Sequence, residues 1–263
     1  MLIRCFVTMA LALLVGARSV SAQCPGATNT PFGADDSGVL TCSNTAAGCE
    51  NKVEQAVFVL AKAILKCHKK QADAVFKGQS FDEESCESAA TSSFTTKNTT
   101  VVSAKCPCVN LASIASAWET ELDGTINALT YCDGWDSGTS TCTGTTAIDP
   151  GGDDQGCVNP ASADEQKCQD QTTKCIASLV KNYTKCHETA AKAFVKNHAF
   201  DEETCEQGPL SGKSAAERFN SCVAKASASG ACAACNATNQ ATILSAIDSM
   251  MDGSNNSLVY CTP

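Results

Sequence analysis

The sequence predicts an all-α protein, a tandem duplication of a disulfide-braced helical hairpin plus a third helix, with a loop-rich segment ahead of each hairpin. Three observations predict it. First, Lys66-Cys67-His68 with Phe81-Asp82-Glu83-Glu84-Ser85-Cys86-Glu87 recurs without a gap, 119 residues on, as Lys185-Cys186-His187 with Phe200-Asp201-Glu202-Glu203-Thr204-Cys205-Glu206. Second, apolar and cysteine residues ahead of each histidine fall three and four apart, the spacing of one helical face. Third, the chain holds 19 cysteines, and removing Cys5 with a leader leaves 18, the even number that full pairing requires.

Residues 1–22 read as a secretory signal: Arg4 precedes an apolar run, and Val20-Ser21-Ala22 is a small-residue cleavage site. The mature chain divides into a first module, 23–132, a Gly- and Ser/Thr-rich linker, 133–141, and a second module, 142–263. Each module opens with turn chemistry between two cysteines, Gly33-Ala34-Asp35-Asp36-Ser37-Gly38 before Cys42 and Gly151-Gly152-Asp153-Asp154-Gln155-Gly156 before Cys157. The Asp-Asp pairs lack the alternating oxygen ligands of a calcium loop and read as turns.

A long helix follows, from about Gly48 to Lys77 and from about Lys167 to Lys196. Its buried stripe is Val53, Ala56, Leu60, Ile64 and Cys67 in the first copy, and Cys168, Thr172, Cys175, Leu179, Tyr183 and Cys186 in the second. Asp82 and Asp201 are placed to cap the returning helix, with acidic residues in its first turn where the helix dipole favours them. In the second copy Gly208-Pro209-Leu210-Ser211-Gly212 interrupts that helix. The third helical stretch, from Cys108 or Cys235, is expected to end in a turn at Asp123-Gly124 or Asp252-Gly253.

Antiparallel packing of the hairpin gives most of the pairing. Cys67 is set against Cys86, Cys186 against Cys205 and Cys175 against Cys222. Cys49 faces Cys106 or Cys108, and Cys168 faces Cys232 or Cys235. Cys24 with Cys42, Cys142 with Cys157, and the remaining close cysteine with Cys132 or Cys261 complete the set. Such density belongs to an oxidising compartment, so the protein is expected to be secreted or extracytoplasmic, in a periplasm or at a cell surface.

Little else in the sequence points to chemistry. His68 and His187 have no second ligand at helical spacing and read as partly exposed structural histidines, so no metal, cofactor or catalytic set is expected. Cys232 and Cys235 have the spacing of a redox dithiol, but no thioredoxin-like pattern surrounds them. Losing Arg4 and Arg18 leaves 17 basic against 28 acidic residues, a net −11, which argues against nucleic acid as a partner. No stretch after the leader is long enough to span a membrane. Lys62, Lys66, Lys181 and Lys185 nevertheless form a basic stripe suited to an anionic contact.

The order Lys66-Cys67, Lys77, Asp82, Cys86 and Phe94, then a cysteine after a Gly/Ala-rich helix end, resembles the cysteine-anchored helical repeats of exported bacterial proteins with no assigned role. The resemblance spans about 49–108 and 168–235, and it implies fold and export but no activity. The expected function is therefore a non-enzymatic, disulfide-stabilised interaction or structural protein outside the cytoplasm. The alternatives are a carrier of small apolar ligands between helices and a thiol-disulfide redox protein using Cys232 and Cys235.

Overall fold

The computed structural model describes residues 30–33, 35–208, 214–228 and 232–262. The expected signal segment, Cys24 and residues 209–213 lie outside them.

Two 33-residue helices, α1 (Asn44–Phe76) and α5 (Ala163–Val195), form the centre of an all-α molecule. Each starts a few residues earlier than apolar spacing alone predicts, because a serine caps it: Ser43 Oγ accepts from the Ala46 amide and Ser162 Oγ from that of Glu165. Val53, Val57, Leu60 and Ile64 of α1 are buried, as are Thr172, Cys175, Leu179 and Tyr183 of α5. Fully burying a Val, Leu or Ile side chain contributes roughly 1.5–3 kcal/mol, so this seam is a major source of stability. Lys69 pairs with Asp170 while Lys181 stands over the Phe58 ring. The two long helices therefore run antiparallel.

The returning helix is continuous in the first copy, α2 (Glu83–Lys105). After α3 (Leu111–Glu121), the chain does not turn at Asp123-Gly124 as expected. It continues through a π-helical segment, Leu122–Ile126, into α4 (Asn127–Thr130). In the second copy the return is divided between α6 (Glu202–Glu206) and α7 (Ala215–Ser227), the latter opened by a Ser214–Glu217 capping box. Then α8 (Ala234–Asp248) runs through a second π segment, Ser249–Asn255, into α9 (Asn256–Val259). Both Asp-Gly pairs thus lie in a widened helical turn, a feature that often marks a functional position. Three short antiparallel ribbons complete the described elements: β1 (Thr30–Pro31) with β2 (Val39–Leu40), β3 (Trp135–Asp136) with β4 (Thr141–Cys142), and β5 (Thr146–Ala147) with β6 (Cys157–Val158).

Disulfides fasten each hairpin along its length. Cys67–Cys86 and Cys49–Cys106 join α1 to the chain of α2; Cys186–Cys205, Cys175–Cys222 and Cys168–Cys232 join α5 to its own return; Cys142–Cys157 closes a loop. Cys42 is also disulfide-bonded. Two bridges cross between the copies, Cys108–Cys261 and Cys132–Cys235. Cys232 and Cys235 are thus bound to different partners, and they do not form a redox pair with each other.

The acidic loops cross over as well. The loop before α1 docks on the second π segment and the end of α9, where Ser37 N donates to Asp252 O at 2.8 Å and Val39 N to Tyr260 O at 2.8 Å. The loop before α5 docks on the first π segment and the end of α4, where Gln155 N donates to Asp123 O at 2.9 Å and Cys157 N to Tyr131 O at 2.6 Å. Glycine makes both approaches possible. A Cβ at Gly38 would lie 2.5 Å from Asn256 Oδ1, and one at Gly156 would lie 2.9 Å from Tyr131 O, where the backbone also has φ +122°.

Candidate metal centre

The crossed loops deliver carboxylates to two buried histidines, and this overturns the expectation of partly exposed rings. His68 is 1% exposed and His187 0%. Four carboxylates from three elements converge on the Nε2 atom of each. Around His68 Nε2 stand Glu87 Oε1 at 2.8 Å, Asp123 Oδ1 at 3.0 Å, Asp154 Oδ1 at 3.2 Å and Glu83 Oε1 at 3.9 Å. Around His187 Nε2 stand Glu206 Oε1 at 3.1 Å, Asp252 Oδ1 at 3.3 Å, Glu202 Oε1 at 3.4 Å and Asp36 Oδ1 at 3.7 Å.

Local structure explains how each group arrives. Glu83 and Glu87 lie four apart on α2, and Glu202 and Glu206 four apart on α6, so each pair projects from one helical face. Asp82 and Asp201 start those helices, each accepting a backbone N–H at 3.0 Å. The acidic triplets are therefore not explained by the helix dipole alone: their middle members point inward with the glutamate of the next turn. Asp123 and Asp252 come from the π segments. Asp154 and Asp36 come from the crossed loops and are oriented by Asn127 and Asn256, whose side-chain amides donate to Oδ1 in both cases. The expectation that the Asp-Asp loops are plain turns is corrected at these two residues.

The electrostatics of each cluster are unbalanced. One imidazole N–H can donate to only one carboxylate. Glu83 Oε1 and Oε2, Glu87 Oε1 and Asp154 Oδ2 accept no hydrogen bond, and neither do Glu202 Oε1 and Oε2, Glu206 Oε1 and Asp36 Oδ2. A buried polar group without a partner costs about 1–3 kcal/mol, more if charged. Burial opposes a charge on His68, but Asp123 and Glu87 outweigh it and hold the ring up at about 10. His187 is likewise raised well above its usual range, by Asp252, Glu206 and Glu54 against the effect of burial. Burial and the neighbouring carboxylates push Glu83 up to about 10 and Asp154 to about 8, and they push Glu202 to about 11 and Glu206 to about 8. Even with each ring charged, neighbouring acids must retain protons, because one imidazolium does not offset four carboxylates as a divalent cation would.

The donor set fits one. His68 with Glu83 and Glu87, His68 with Asp123 and Asp154, His187 with Glu202 and Glu206, and His187 with Asp36 and Asp252 each place their ligand atoms within 4.8 Å of one another. Bonds of about 2.1 Å in an octahedron put adjacent ligand atoms about 3 Å apart, close to the spacings about Nε2. One imidazole with several carboxylates suits a divalent ion that accepts both nitrogen and oxygen, such as Mn2+ or Fe2+. Two further carboxylate pairs stand beside the sites, Glu84 with Asp153 and Glu203 with Asp35. The neighbouring carboxylate comes first, ahead of burial, in raising each glutamate to about 7. Glu84, Asp153 and Asp35 are exposed, and they mark an acidic approach for a cation.

The lysine stripe lies elsewhere. Phe58, Leu65, Lys62, Lys66, Lys69 and Lys181 help to line a groove of about 380 Å³ between α1 and α5, and Lys62 and Lys181 both stand over the Phe58 ring. Lys185, also expected in the stripe, is exposed on α5 but does not line this groove. Among the described residues no helix is long and apolar enough to cross a membrane. Comparison with known proteins found no family model, no curated protein and no solved structure that matches this chain.

Proposed function

We propose that the chain is an exported, non-enzymatic protein that holds two divalent cations, one at His68 and one at His187. The observation that carries this reading is the repeated convergence of four carboxylates on a buried imidazole nitrogen, with eight carboxylate oxygens that accept no hydrogen bond. A cation at each centre would neutralise charge that the fold otherwise buries unpaired. The disulfide content is compatible with an oxidising compartment, and the resemblance to exported helical repeats supports the same location. A cross-linked frame suits binding, since it fixes ligand positions before the ion arrives.

Elemental analysis of the secreted chain, purified without chelator, tests the reading. Two equivalents of Mn2+ or Fe2+ per chain are expected after exposure to either ion, one in His68→Ala or His187→Ala and none in the double variant. Retention of two equivalents in the double variant would overturn it. The groove beside Phe58 favours a second reading, carriage of a fatty-acid-like anion whose tail meets Phe58 and Leu65 and whose head meets Lys62 or Lys181. Failure to displace a fluorescent fatty acid from the groove would remove it.

A further inference from the structure

The two histidines are held differently from behind. Glu54 of α1 is fully buried, and its Oε1 lies 3.3 Å from His187 Nδ1. Glu54 Oε2 accepts from Asn255 Nδ2 at 2.8 Å, and Asn255 Oδ1 accepts from Trp118 Nε1 at 3.0 Å. A relay of three buried side chains thus ends on His187. With a cation at Nε2, it would hold the ring proton on Nδ1 and leave the Nε2 lone pair to the ion.

The corresponding positions behind His68 carry none of this. Thr173 stands where Glu54 would be, Ile126 where Asn255 would be, and Ile247 where Trp118 would be. All three are buried, and Thr173 Oγ1 donates to Gln169 O of its own helix at 3.0 Å. His68 Nδ1 has no hydrogen-bond partner. The front shells match, with two glutamates and two aspartates in each, so the difference lies behind the ring.

We infer that Glu54 is a positioning residue that makes the His187 centre the tighter of two unequal cation sites and the more selective for a transition ion. This deepens the reading of both clusters as cation sites and rests on it. A carboxylate behind a ligating imidazole fixes its tautomer and orientation and increases its basicity, and losing such a partner typically costs about 10–100-fold in affinity. Carboxylates serve Mn2+ and Ca2+ alike, whereas the imidazole nitrogen favours the transition ion. Strengthening the nitrogen therefore strengthens discrimination.

The test is calorimetric titration of the chelator-treated full chain, disulfides intact, with Mn2+ and separately with Ca2+. Two classes of Mn2+ site are expected, separated by about 10-fold or more. His68→Ala should retain the tight class and His187→Ala the weak one. Glu54→Gln should weaken Mn2+ at the His187 site by about 10-fold while changing Ca2+ by less than about threefold, because the backing carboxylate acts through the nitrogen. Equal loss for both ions would show that Glu54 only supports the fold, and would overturn its positioning role. If Glu54→Gln fails to fold, the Mn2+/Ca2+ preference of His68→Ala against His187→Ala decides, and equal preferences overturn the inference. Binding at both sites with one constant would overturn the inequality and leave the cation reading intact. Absence of Mn2+ binding from the unaltered chain would remove both.

Discussion

At His187 the imidazole is engaged on both nitrogens, and at His68 on one. Everything in front of the two rings corresponds: a glutamate pair from the returning helix, an aspartate from a π segment and an aspartate from a crossed loop. Behind them the sites part. The back of the His187 ring meets the long helix of the opposite copy at Glu54, and the equivalent position of α5 is Thr173, so a change at Glu54 alters one site and leaves the other alone. Ligand geometry and ligand strength are thus supplied by different parts of the molecule, and one can vary while the other is kept.

The largest expected effect is loss of a ring. His187→Ala and His68→Ala should each weaken their own site by more than about 100-fold, since even an outer partner is worth about 10–100-fold. Inductively coupled plasma mass spectrometry on the dialysed variants reads this, and loss of both ions from either single variant would break the independence of the two sites. A second contrast concerns Cys175–Cys222, which has no counterpart in the first copy, where Ala56 occupies the place of Cys175. Replacing both cysteines by alanine should cost about 2–4 kcal/mol in a denaturant titration. Because the change lies away from the ligands, it should leave Mn2+ stoichiometry at two. The carboxylate shells give an effect of opposite sign. Glu83→Gln and Glu202→Gln each remove a buried acid that lacks a partner and supply an amide donor to the neighbouring glutamate. The metal-free variants should gain about 1–3 kcal/mol in stability while their melting temperatures rise less on adding Mn2+. A metal-free melting temperature below that of the unaltered chain would contradict the charge imbalance. The smallest effect sharpens the crossing of the loops. Asp154→Asn should weaken the His68 site and Asp36→Asn the His187 site, each by about 10-fold, or about 1.4 kcal/mol. Titration in the single-histidine backgrounds would show an error of topology if each variant instead affected the site of its own copy.

Much of the frame was legible in the sequence because it is local or nearly so. Apolar spacing marks α1 and α5, Asp82 and Asp201 mark the caps, and equal distances from a hairpin turn set Cys67 against Cys86 and Cys175 against Cys222. The histidine–carboxylate clusters were not legible by the same means. Each ligand has a sufficient local explanation: Glu83 and Glu202 complement a helix dipole, Asp154 and Asp36 belong to a turn, and Asp123 and Asp252 precede a glycine. Searching around His68 at helical spacing finds nothing, because its ligands come from α2, a π segment and the loop before α5. The available signal was the joint recurrence of all five acid and histidine positions, including the glutamates spaced four apart. Crossing of the loops, and of Cys108–Cys261 and Cys132–Cys235, depends on how α1 and α5 pack, which no single stretch of sequence encodes.

The exchanged loops have a consequence for the chain as an assembly. A lone repeat carries a histidine and three of its carboxylates, but the fourth acid would hang over a place where only another repeat could use it. Two separate copies would complete one another reciprocally, and joining them through 133–141 converts that encounter into an intramolecular one at high effective concentration. Once Cys108–Cys261 and Cys132–Cys235 have formed, the connector is no longer needed to hold the halves together. A protease that cut the β3–β4 hairpin would leave a two-chain protein with both centres whole.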